Sequence, residues 1–182
     1  MRYRVILVVL LIAMCIGQEE PSEESGEGVE TSLPPSTPPP IPDGLIKSII
    51  QSYFDALNQR DLDTLEELTH PYYVADAAVL MDFVLKNNIS FKSISPSILM
   101  EDEEYRSEML GTMSELEFAE KVGKRGLSYD IELIIVKLGK SYPDCYLFIE
   151  IGETEDGWKV LDPEMLQLVL ESYLEVIESG EE

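Results

Sequence analysis

Any chemistry in this chain has to start from very few side chains. His70 is the only histidine, so proton transfer near neutral pH would fall to it, since an unperturbed imidazole titrates there. It stands directly before Pro71, where its other reading is a helix-end residue favoured by the C-terminal dipole. Tyr129 and Asp130 put a phenol beside a carboxylate, but Asp130 alternates with apolar neighbours, the pattern of a residue facing solvent. Trp158 is the only tryptophan and follows a turn. Its other reading, like that of the tyrosines Tyr72, Tyr73 and Tyr129, is core packing. No spacing among these residues fixes a role for any of them.

Several chemistries are excluded. Two cysteines, Cys15 and Cys145, and one histidine cannot supply four zinc ligands. There is no phosphate-cradling glycine loop, no nucleophile elbow and no metal-ligating histidine pair. Asp61-Leu62-Asp63 opens like a calcium loop, but Leu65 and Glu66 stand where the next ligand and the glycine belong. Glu101 to Glu104 reads as a solvated acidic bend, with loose divalent-cation binding as the rival reading. No metal and no cofactor is expected. Asn88-Ile89-Ser90 is a glycosylation sequon at a helix-to-strand junction.

The N-terminus carries an address. Arg2 and Arg4 precede an unbroken apolar run from Val5 to Met14, which Cys15 follows. That is the layout of a secretory signal. About 12 residues at ~1.5 Å each give roughly 18 Å, too short for a hydrocarbon core of ~30 Å. Ile12-Ala13-Met14-Cys15 resembles a lipoprotein signal, bacterial or archaeal, in which the cysteine is lipidated and becomes the new N-terminus. Met14 stands where the bacterial pattern has Gly, Ala or Ser. The resemblance implies a signal peptide over 1–14 and a lipid on Cys15 that holds the exported chain to the outer face of the cytoplasmic membrane. The following residues, through Pro42, alternate glutamates with Ser, Gly and Thr and then turn proline-rich. This composition cannot bury enough apolar surface to fold and predicts a disordered, extended tether over 15–42. A polyproline ligand for a partner domain is its rival reading.

Charge narrows the partners. There are 13 basic against 36 acidic residues, a net charge of −23. Phosphate backbones and anionic headgroups are repelled, so no nucleic-acid partner is expected.

One domain is expected over 43–182. Leu45, Ile46, Ile49, Ile50, Tyr53, Phe54 and Leu57 recur at helical spacing, with Asp43 placed as cap. Asp61 caps a shorter helix that ends at His70-Pro71, and a third helix stops at Asn87-Asn88. Ile89 to Met100 reads as a strand, edge or bulged at Pro96. Ser114 to Glu117 is a capping box. Tyr129 to Val136 and Cys145 to Ile151 read as strands, and Gly152 to Gly157 as a hairpin turn into Trp158-Leu161. Asp162-Pro163 opens a last helix. The order predicts an α+β fold: N-terminal helices on a curved antiparallel sheet, with an added C-terminal helix.

Residues Ile49 to Asp63, an opening helix, a break and a second helix, together with Gly157-Trp158-Lys159-Val160-Leu161, resemble the nuclear transport factor 2-like domain. This is the cone-shaped fold shared with SnoaL-like cyclases and ketosteroid isomerases. The resemblance covers roughly Asp43 to Asp162 and implies a ligand cavity between sheet and helices, with His70, Tyr129, Asp130 and Trp158 as cavity candidates. The helix after Trp158 departs from many members and could cover the cone mouth. The expected function is a membrane-tethered extracytoplasmic binding or interaction module without catalytic activity, its partner a small ligand or a protein. The alternative is a small-molecule isomerase, cyclase or hydrolase working in the cone. A structural subunit whose last helix packs on a partner is a third reading.

Overall fold

The computed structural model describes residues 40–179. Cys15, the export segment and most of the tether expected over 15–42 lie outside the described residues.

Helix α1 (Asp43–Gln59) buries Ile46, Ile50, Tyr53, Phe54 and Leu57, the stripe its apolar spacing predicts, whereas Leu45 is exposed. Asp43 is not its cap. Pro42 holds that position without a side-chain bond. The Asp43 carboxylate instead takes the Lys47 ammonium at 2.8 Å and the Tyr129 hydroxyl at 2.9 Å. Arg60 ends the helix in the left-handed region at φ 63, its guanidinium donating to the Leu57 and Ile89 carbonyls. Asp61 does cap α2 (Leu62–Leu68), accepting from the Thr64 N–H at 3.1 Å and its hydroxyl at 2.6 Å. A 3-10 turn (Pro71–Tyr73) leads into α3 (Val74–Lys86).

Four strands follow: β1 (Ile89–Met100), β2 (Gly126–Lys137), β3 (Lys140–Thr154) and β4 (Gly157–Leu161), antiparallel in that order. The edge strand β1 is bulged between Lys92 and Ser95, next to Pro96, which bends the sheet. The hairpin turn is narrower than expected, only Glu155 and Asp156, with Gly157 opening β4 at φ 108. Helix α6 (Pro163–Ser179) closes the described chain, its first turn capped by the Asp162 carboxylate.

Helices α4 (Asp102–Leu110) and α5 (Glu115–Lys121) lie between β1 and β2. The acidic bend expected at Glu101 to Glu104 is thus the start of a helix. Asp102, Glu103 and Glu104 occupy its first turn, where the dipole favours carboxylates, and Tyr105 anchors it in a buried site. The capping box of α5 is present in both arms, Ser114 with Glu117.

The period-2 pattern divides the sheet's faces. Tyr129, Ile131, Leu133 and Ile135, with Cys145, Leu147, Ile149 and Ile151, join α1, α3 and α6 in the main core. On the outer face, Tyr105, Phe118, Val122 and Leu161 make a smaller cluster where α4 and α5 cover one end of the sheet. Glycines permit that approach: a Cβ on Gly126 would lie 2.2 Å from the Tyr105 ring, and one on Gly152 would lie 2.1 Å from the Val122 carbonyl oxygen. Because β4 pairs only with Glu150 to Thr154, the edge of β3 beyond it needs a partner. Tyr173 of α6 supplies one, its hydroxyl accepting from the Tyr146 N–H at 2.7 Å and donating to the Tyr146 carbonyl at 3.0 Å.

Candidate functional site

Apolar side chains from the inner sheet face and the helices pack together in one cluster. Tyr53, Phe54, Leu57, Tyr129, Ile131 and Ile151 are all fully buried there. Leu166, Leu170 and Leu174 of α6 pack into the same core. Two phenols bring polarity to it. The Tyr129 hydroxyl escapes to the rim by donating to Asp43. Burial and that carboxylate push its pKa up. The Tyr53 hydroxyl stays inside with no hydrogen bond of normal geometry; the nearby Thr69 hydroxyl donates to the Leu65 carbonyl.

The expected cavity candidates are therefore not gathered in one place. Tyr129 faces the core, while Asp130 is exposed on the outer face of β2. Trp158 is 8 % exposed within the main core, under the Arg125 guanidinium at 5.3 Å. His70 is 6 % exposed beside β4, its backbone N–H donating to the Val160 carbonyl at 2.8 Å. Asn88 is exposed at the α3–β1 turn with φ 51. Cys145 is a buried free thiol whose pKa burial raises.

Of these candidates, His70 borders a sizeable open recess. A cleft of about 580 Å³ lies between α4, α5 and the β3–β4 hairpin, lined by His70, Arg106, Phe118, Ala119, Lys124 and Glu153 among others. The fold builds it in steps. Pro71 halts α2 and turns the chain along β4, which sets His70 at one wall. The capped α5 presents Phe118 and Ala119 at another. Arg106 pairs with Glu115 and lies 4.7 Å over the Phe118 ring. Arg125 pairs with Glu153 at 2.6 Å. The His70 Nδ1 accepts the Tyr72 N–H at 3.2 Å, so the neutral ring carries its proton on Nε2. Burial lowers its pKa, which favours the neutral ring.

A second polar group was missed by the sequence reading. Tyr105, 1 % exposed, donates to the Glu150 carboxylate at 2.9 Å. Burial raises the Glu150 pKa, with Asp162 and Glu108 adding repulsion. The same neighbourhood pushes Tyr73 up to about 12, by burial first and then by Asp162 and Glu150. Glu150 borders a pocket of only about 50 Å³ with Phe148, Leu161, Asp162 and Met165. The signal was the alternation of Tyr146, Phe148 and Glu150 along one face of β3, which sets a carboxylate in an aromatic row.

Among the described residues, no three or more His, Cys, Asp or Glu are grouped to hold a metal ion. No helix among them is long and apolar enough to cross a membrane. No protein-family model matches the chain, and no curated protein matches it. The helices and antiparallel sheet are a small α+β fold compatible with the nuclear transport factor 2-like cone.

Proposed function

We propose that this chain is an exported, lipid-anchored binding module that acts through the His70–Phe118 cleft and carries no active site in its interior. The observation that supports the reading is the main core: apolar side chains of the helices and the inner sheet face pack there as one buried cluster. The cleft supports binding over catalysis. A general base must be free to take a proton, yet His70 spends Nδ1 on a backbone N–H. Two of the carboxylates lining the cleft, Glu115 and Glu153, are tied to arginines. What remains is the edge of the largely buried Phe118, the His70 imidazole, the Lys124 ammonium and the Glu155 carboxylate, a mixed set suited to holding an amphipathic ligand or a partner loop. For the alternative enzyme the part-buried Tyr105–Glu150 pair is the remaining acid–base set, and the pocket that Glu150 borders, about 50 Å³, has room for little more than a water.

The anchor rests on the sequence alone: Cys15 after a short apolar run, with the acidic and proline-rich stretch as spacer. The sequon at Asn88 belongs to the same proposal, on an exposed turn.

Two experiments test the reading. A photo-crosslinking amino acid at Ala119 in intact cells should trap an adduct that the same residue at exposed Asp63 does not; identical products from both positions, or none from Ala119, refute cleft binding. The mass of the N-terminal peptide from native protein should include a lipid on Cys15, and an unmodified cysteine removes the anchor.

A further inference from the structure

A second recess, of about 440 Å³, runs between α3 and α6, away from His70. Its walls are two helical stripes. Val79, Phe83 and Lys86 line it from α3, and Gln167, Glu171, Leu174, Glu175 and Glu178 line it from α6. The α6 stripe runs from Gln167 to Glu178, eleven steps of ~1.5 Å, or about 16 Å. Val79 is 56 % exposed at the edge of this recess.

The charges on α6 are arranged against its own stability. Glu171, Glu175 and Glu178 follow one another at i, i+4 and i+7, where like charges repel. The latter two lie toward the C-terminal end, where the dipole disfavours carboxylates. The helix contains no lysine or arginine. Lys137, reaching from β2 to Glu178, is the one ion pair made with this row among the described residues. Asp82 lines the groove from α3. Val79, Phe83 and Leu174 are the apolar side chains in this lining, and set among its carboxylates they have the complement of a cationic amphipathic helix.

We propose that the α3–α6 groove docks a helix of a partner protein that carries Lys or Arg at i, i+4 and i+7 beside an apolar face. Three cations at that spacing meet Glu171, Glu175 and Glu178, and an apolar side chain between them covers Val79 and Leu174. The inference stands apart from the His70 cleft and does not depend on it.

The whole molecule is acidic, so the test must separate this groove from general attraction. The probe is a labelled 14-residue helical peptide with Lys at i, i+4 and i+7 and Leu on the adjoining face, titrated against the full chain by fluorescence anisotropy. The double variant Glu171→Lys/Glu175→Lys should weaken binding at least about tenfold, and Val79→Ser several-fold. The control Glu103→Lys/Glu104→Lys makes the same change of charge on exposed positions of α4 and should leave binding within about twofold. Equal losses in both double variants, no binding by the parent protein, or full binding to the α6 variant would each overturn the proposal. The α6 variant should also melt at a higher temperature than the parent, since it relieves repulsion, which rules out misfolding as the cause of lost binding.

Discussion

Gly152→Ala tests how α4 and α5 sit on the sheet, and with them the wall of the His70 cleft. A Cβ at this position would lie 2.1 Å from the Val122 carbonyl oxygen and 3.0 Å from both the Val122 carbonyl carbon and a Leu161 methyl. The first obstacle is backbone, so no rotamer change relieves it. Either α5 moves outward or β3 bends. The φ at Gly152 lies outside the left-handed region, so the cost is collision and not backbone strain. Overpacking of this kind costs about 1–3 kcal/mol, and rigid backbone places it near the upper end. Lost glycine entropy in the unfolded state returns about 0.5 kcal/mol, leaving about 2–2.5 kcal/mol of destabilisation. For a domain of this size that lowers the melting temperature by roughly 6–12 °C. Trp158 is the only tryptophan and sits on the adjoining hairpin strand, so its fluorescence reports urea unfolding directly. Gly44→Ala is the internal standard. Nothing lies within 4 Å of its added Cβ in the first turn of α1, and it should stabilise by about 0.5–1 kcal/mol. If Gly152→Ala shifted the midpoint no more than Gly44→Ala does, α5 would not rest against β3 and the cleft described here would not exist.

Three further outcomes follow from buried polar groups. Glu150 holds a proton in the folded state that the unfolded chain has released, between its ordinary value of 4.5 and its raised one, so stability falls as pH rises through that window. Glu150→Gln should remove this contribution, so that the difference in melting temperature between variant and parent changes as pH rises above 4.5; parallel profiles would contradict it. Asp43, Asp61 and Glu117 act in the opposite sense, since their lowered values lend stability that is lost only as pH falls below the ordinary carboxylate range. Tyr53→Phe removes a buried hydroxyl without a normal hydrogen bond and should be neutral or stabilising by up to about 1 kcal/mol in urea unfolding. Cys145, 3 % exposed with a raised pKa, should resist a thiol reagent in the native protein and react once it is unfolded.

Local rules carried the sequence reading furthest where a side chain acts on its own neighbours. Asp61 on Thr64, the Ser114–Glu117 box and Asp162 before Pro163 are all contacts within three residues, and all three form. The reading failed where a distant partner decides. Asp43 has the right chemistry for a cap, but Tyr129, which is 86 residues away, claims its carboxylate along with Lys47. Glu101 to Glu104 looks like a solvated bend because the residue that makes it a helix, Tyr105, is held by Gly126 and Glu150 from two other strands. The site suffered for the same reason. Tyr129 and Asp130 are neighbours in sequence but point to opposite faces of one strand. Lys124 and Glu153 meet His70 around one cleft only after the hairpin folds back.

Composition, too, means different things at different positions. An excess of 36 acidic over 13 basic residues reads as solubility when taken as a total. On α4 the carboxylates of Asp102, Glu103 and Glu104 sit at the positive end of a helix and lend it stability. On α6 the same residue type is stacked at i, i+4 and i+7 toward the negative end, beside an exposed valine and a groove. Solubility alone accounts for acidic residues anywhere on the surface, but it does not account for placing them where they weaken their own helix. A cationic partner seated on that row would turn the repulsion into attraction, and the stability and affinity of the α6 variants should therefore move in opposite directions.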